Sequence, residues 1–128
     1  MGLDAGLLYT TDRLSADELT TFARDAETAG IESLWLPEVS GRDPFALAGY
    51  LFAHSDGLRV ATGIANVYAR DPGAMRAGAA TLAELSGGRF MLGLGVSNPG
   101  INAARGNPVW EAPLTKIDRK STRLNSSH

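Results

Sequence analysis

The stretch that most constrains this chain runs from Leu58 to Val96, LRVATGIANVYARDPGAMRAGAATLAELSGGRFMLGLGV. An apolar run from Val60 to Val67 ends at Arg70. Asp71-Pro72 then opens a helical pattern, Gly87-Gly88 stops it, and a second apolar run from Phe90 to Val96 follows at once. Two strands joined by a helical crossover lie parallel, and the crossover is right-handed. The strands are too apolar to leave a face in water, so helices must cover the sheet.

The preceding residues repeat the plan. Leu3 to Tyr9 reads as a first strand. Ser15-Ala16-Asp17-Glu18 is a capping box, in which the Ser15 hydroxyl accepts from the Glu18 N–H and the Glu18 carboxylate reaches back. Leu19, Phe22, Ala23 and Ala26 follow at helical spacing, and Gly30 closes the helix as a left-handed cap. Ile31 to Leu36 is strand two, ended by Pro37, with Glu38 just past its carboxyl end. Asp43-Pro44 places an N-cap before a first-turn proline and opens a mostly apolar helix to Ala53. Strand three spans Leu58 to Asn66, and strand four Arg89 to Gly95. On the intervening helix Met75, Ala79, Leu82 and Leu85 are predicted to face the sheet. Val96 to Pro108 reads as a loop rich in glycine and asparagine. Four β-α units of this kind fit either a doubly wound sheet or a (β/α)8 barrel, and periodicity does not choose between them.

Composition narrows the chemistry. A formal charge of -2 shows no electrostatic footprint for nucleic acid or an anionic membrane surface. No cysteine is present for a disulfide or a metal-thiolate site. No apolar run approaches the roughly 18 residues of a membrane span, and the amino-terminal residues show no signal peptide. The expectation is a cytoplasmic α/β protein that works on a small molecule. Gly93-Leu94-Gly95 suggests a dinucleotide fingerprint but fails it, because Asn98-Pro99 stands where the third glycine belongs. HExxH, GxSxG and P-loop patterns are missing, and no metal site is predicted. Trp35 and His54 read most simply as packing or surface residues. Glu38 reads as a solvated loop acid from position alone, yet strand carboxyl ends are where ligands bind in both architectures.

Four segments carry a family resemblance: LWLPEVSGRDPFALAGYL, ATGIANVYARDP, AATLAELSGGRFMLGLGVS and NPVWEAPLTKI. They resemble the luciferase-like monooxygenase superfamily, and within it the oxidoreductases that use the deazaflavin coenzyme F420. The resemblance implies the first half, strands one to four, of a (β/α)8 TIM barrel of the bacterial-luciferase type. It also implies a cofactor at the carboxyl ends of the strands. Carried over position by position, it implies a cis peptide at Gly63–Ile64 whose bulge backs the deazaflavin ring. Glu38 and Asn66 fall on positions near the cofactor, and Ser97 and Asn98 on the pocket-lining loop after strand four. No position matches a general acid well enough to name a catalytic residue. The implied reaction is hydride transfer between F420 and an organic substrate, with an FMN-dependent monooxygenase as the alternative. The full-length parent is expected to be a homodimer.

Residues 1–117 carry this pattern, whereas 118–128, DRKSTRLNSSH, turn basic and polar with no apolar period. One codon choice for that segment spells a common sequencing-adapter sequence. The expectation is a non-native tail on a truncated reading frame, with a half-barrel that is inactive by itself or at most a binding module.

Overall fold

The computed structural model of the chain describes residues 6–106. The predicted tail at 118–128 lies outside them. Strand β1 (Gly6–Leu8) leads to helix α1 (Ala16–Thr28), then β2 (Ser33–Leu36) and α2 (Pro44–Ala53). Strand three comes as two pieces, β3 (Arg59–Thr62) and β4 (Ala65–Asn66), followed by α3 (Pro72–Leu85). Strand four is likewise divided into β5 (Phe90–Met91) and β6 (Leu94–Gly95), and a short helix α4 (Pro99–Ala104) follows.

The main sheet has the order β1-β2-β3-β5, all parallel, and β4 pairs with β6 beyond it. Consecutive right-handed units in this order are the geometry of a barrel wall. The doubly wound alternative would need a reversal of strand order, and none occurs among the described residues.

The helix ends follow from their sequences. Ser15 and Glu18 exchange both capping-box bonds at 3.1 Å. Asp43 accepts from the Ala46 N–H and Asp71 from the Ala74 N–H, each ahead of a proline in the first turn. After α1 the Ile31 N–H reaches the Ala26 carbonyl and the Gly30 N–H that of Glu27. This double closure needs a left-handed residue, and Gly30 supplies it at φ +84°.

Leu34, Leu36, Leu51, Val60 and Met75 are fully buried between sheet and helices. Each such side chain stabilises by about 1.5–3 kcal/mol through removal of apolar surface from water. Truncating Leu51, 0% exposed, to alanine would cost about 2–5 kcal/mol through lost burial and the cavity left behind. The opposite face of the sheet, the barrel interior, is open among the described residues. Leu8 is 63% exposed and Met91 46% exposed.

Three expectations need correction. Strands three and four are not continuous over 58–66 and 89–95: strand three breaks at Gly63–Ile64, whose peptide is cis as the resemblance implied, and strand four breaks at residues 92–93. Thr62 spans the break: its hydroxyl donates to the Gly93 carbonyl at 2.7 Å and accepts the Gly93 N–H at 2.8 Å. Leu85 does not face the sheet but is 74% exposed. At 3.6 residues per turn it lies roughly 80° off the Met75 direction, whereas Ser86, roughly 20° off, takes the buried place. The segment Val96–Pro108 is not loop throughout. Asn98 caps α4 through the Ile101 N–H at 2.9 Å, and Pro99 fills its first turn.

Candidate functional site

The carboxyl ends of β2, β4 and β6 converge, and with them the six residues that the resemblance singles out. Glu38 follows β2. Its side chain is 1% exposed, and both oxygens are engaged. One oxygen accepts the Asn66 backbone N–H and Arg70 Nη1, each at 2.8 Å. The other accepts Arg70 Nη2 at 2.6 Å and Arg105 Nη2 at 3.4 Å. Glu38 is therefore a buried clamp between three loops, not a solvated acid.

Arg70 is held on several sides. Its second carboxylate is Asp43, which also caps α2. Its guanidinium lies 4.4 Å from the centre of the Phe45 ring. Burial works against the Arg70 charge, but the bonds and charges of Glu38, then of Asp43, outweigh it and raise its pKa above the ordinary arginine value. Among the described residues, two carboxylates, Glu38 and Asp43, face two guanidiniums, Arg70 and Arg105.

Asn66 is buried at the end of β4 with both side-chain atoms engaged inside the protein. Its Oδ1 accepts the Tyr68 N–H, and its Nδ2 donates to Asn102 Oδ1 at 2.6 Å. Gly63 and Ile64 form the cis bulge and are half-buried. A Cβ on Gly95 would come within 2.4 Å of the Ile64 side chain, and one on Gly93 within 2.3 Å of the Thr62 carbonyl. These two glycines exist because the bulge packs into them, which is the packing role that remained once the dinucleotide fingerprint failed. Ser97 is half-buried in a left-handed conformation at φ 58°, and Asn98 is exposed, its side chain spent on the α4 cap.

Sequence reasoning missed Arg70, Arg105 and Asn102. Each lies in a loop or a short helix and meets its partner across 32 to 67 residues of chain, as with Arg70–Glu38 and Arg105–Glu38. No local period betrays such pairs. Asn98-Pro99 could have been found, since it repeats the cap-proline signal of Asp43-Pro44 and Asp71-Pro72. His54 stacks on Tyr50 and bonds its carbonyl at 2.8 Å, away from the site. Trp35 lies on the inner face, where its Nε1 donates to Ser33 Oγ at 3.0 Å.

The exposed part of the site offers an apolar inner wall of Leu8, Trp35 and the Gly63 backbone: a Cβ on Gly63 would stand 3.3 Å from Leu8 Cδ1 and 3.4 Å from Trp35 Cβ. Half-buried Ser97 and exposed Asn98, after the carboxyl end of β6, supply polar groups at the same end of the strands. Apolar wall beside polar rim fits a flat heteroaromatic ring with hydrogen-bonding edges. Among the described residues no group of acids, histidines or cysteines could hold a metal, and no helix is long and apolar enough to cross a membrane.

Parallel strands in chain order with covering helices define part of a (β/α)8 barrel. The chain matches the luciferase-like monooxygenase family over residues 3–118 and belongs to it. It is 30% identical over 99 residues to the 5,10-methylenetetrahydromethanopterin reductase of Methanolobus tindarius, covering 77% of this chain and 30% of that protein. It is 38% identical over 74 residues to a putative coenzyme F420-dependent oxidoreductase of Mycobacterium tuberculosis, covering 58% of this chain and 21% of the other. The solved coenzyme F420-dependent tetrahydromethanopterin reductase of Methanopyrus kandleri superposes with TM-score 0.82 at 20% identity, over 97% of this chain and 40% of that one. A type II Baeyer–Villiger monooxygenase from Pseudomonas putida in complex with FMN gives 0.78 at 16%, over 94% and 39%. The chain thus spans a third or less of the curated relatives' length.

Proposed function

We propose that the full-length protein carrying this segment is an oxidoreductase that moves a hydride between coenzyme F420 and an organic substrate. The observation that supports this most is the 38% identity to a putative coenzyme F420-dependent oxidoreductase, beside the 30% identity to a 5,10-methylenetetrahydromethanopterin reductase. When bound, a deazaflavin supplies a two-electron hydride carrier, and the protein supplies binding and orientation. Gly63 and Ile64 would lie against the ring, Trp35 and Leu8 would exclude water on its apolar side, and Ser97 and Asn98 would meet its polar edge. Glu38 and Asn66 stand behind this wall and hold it in shape.

An FMN-dependent monooxygenase is the second reading, favoured by the fold match to an FMN-bound enzyme. The test is titration of the full-length protein with each cofactor. Tight F420 binding with weak FMN binding is expected, and the reverse would refute the first reading. The described residues carry a four-stranded parallel sheet, where a complete barrel has eight strands, and the 128-residue chain by itself is proposed to have no turnover. The tail at 118–128 is proposed to be non-native, and the family match ends at the boundary where the composition changes. The coding DNA decides that point: codons unrelated to adapter sequence would overturn it.

A further inference from the structure

The loops after β4 and β6 are joined by a directional relay of amides. The Tyr68 N–H donates to Asn66 Oδ1 at 2.9 Å, Asn66 Nδ2 to Asn102 Oδ1 at 2.6 Å, and Asn102 Nδ2 to the Val96 carbonyl at 3.1 Å. Both asparagines are buried, at 0% and 1% exposure. Flipping either amide would set donor against donor or acceptor against acceptor, so the order is fixed.

The relay ends on the residue before Ser97, which holds a left-handed conformation that non-glycine residues rarely adopt. On its other side Asn98 is tied to the Ile101 N–H. Ser97 is thus gripped between two tethers. Glu38 anchors the same assembly from below, through the Asn66 N–H and through Arg105 at the end of α4.

We propose that Asn66 and Asn102 are positioning residues: their relay sets the Ser97–Asn98 rim in its ligand-ready shape before the cofactor arrives. This rests on reading the site as a deazaflavin site. The Asn66 side chain is 0% exposed, so burial keeps its second N–H and remaining lone pair from a ligand in the open part of the site. Pre-setting a loop lowers the ordering cost that binding would otherwise carry.

The test uses the full-length protein with Asn66→Ala, Asn102→Ala, the double variant and Asn102→Asp. F420 dissociation constants and amide exchange at Ser97 and Asn98 without cofactor are measured well below the unfolding temperature. Each single variant is expected to weaken F420 binding about tenfold, the scale of one lost buried hydrogen bond. The double variant should be little worse than the weaker single, because the two residues act as one unit. Exchange at residues 97 and 98 should rise in every variant. If the alanine pair fails to fold, Asn102→Asp carries the test, since it keeps the volume and loses the donor to Val96. Additive losses, or a loss in Asn66→Ala with none in Asn102→Ala, would overturn the proposal. So would a lowered melting temperature with unchanged binding and exchange. The exchange arm needs no cofactor, so a wild-type protein that binds no F420 sinks the functional reading without deciding this one.

Discussion

Replacing Glu38 with glutamine tests how the site is held together. The carboxylate is 1% exposed and receives Asn66 N–H, two Arg70 nitrogens and, at longer range, Arg105. Glutamine keeps one oxygen for the Asn66 N–H but turns an NH2 toward a guanidinium. Removing one partner of a buried ion pair costs about 3–5 kcal/mol. Arg70 retains Asp43 and is 15% exposed, which lowers the expectation to about 2–4 kcal/mol. Alanine also orphans the Asn66 N–H and should cost about 1–3 kcal/mol more. With a urea slope of about 1–3 kcal/mol per molar, the unfolding midpoint of Glu38→Gln falls by about 0.7–4 M. The assay is urea unfolding of the full-length protein followed by fluorescence. A shift equivalent to less than about 0.5 kcal/mol, the usual range for surface substitutions, would refute the clamp. Arg70→Lys should fall between wild type and Glu38→Gln, because lysine cannot make the paired bonds of a guanidinium.

Other consequences can be checked separately. Gly93→Ala places a Cβ 2.3 Å from the Thr62 carbonyl, and relieving that clash breaks the Thr62 bridge; a loss of about 2–4 kcal/mol is expected in the same unfolding assay. The Glu18 carboxyl is held below its ordinary pKa by the Ser15 backbone N–H first and its hydroxyl second. Its contribution is present above the unfolded carboxyl pKa and fades as pH falls through the lower folded value; a Glu18→Gln variant, which has no carboxyl to titrate, should flatten that acid limb in a pH series of thermal melts. The isolated 128-residue polypeptide exposes Leu8, Tyr9 and Met91, with β1 and β5 at the sheet's ends. It should self-associate in sedimentation runs, and a monodisperse, cooperatively melting monomer would contradict this.

The signals that sequence reading recovers well are local ones. Ser15 with Glu18, Asp43-Pro44, Asp71-Pro72, Gly30 and Gly87-Gly88 each state a helix end within four residues, and each end is where they put it. What stays hidden depends on partners distant in the chain. By periodicity the apolar runs 58–66 and 89–95 look continuous; the family resemblance places the bulge at Gly63–Ile64, but nothing local reveals the matching break where Gly93 meets Thr62. Glu38 looks like a loop acid until Arg70 and Arg105 arrive from two other loops. Asn66 and Asn102 have no meaning apart; 36 residues separate them, and only the fold brings the amides to 2.6 Å.

The central claim is that the carboxyl ends of these strands form a deazaflavin site with an exposed wall and a buried scaffold behind it. A crystal structure of the full-length protein with F420 bound tests it most directly. The account predicts the ring system against Gly63 and Ile64, its polar edge at Ser97 and Asn98, and no side-chain contact from Glu38 or Asn66. A cofactor bound at the amino-terminal ends of the strands, or one gripped by the Asn66 amide with the relay to Asn102 broken, would contradict it.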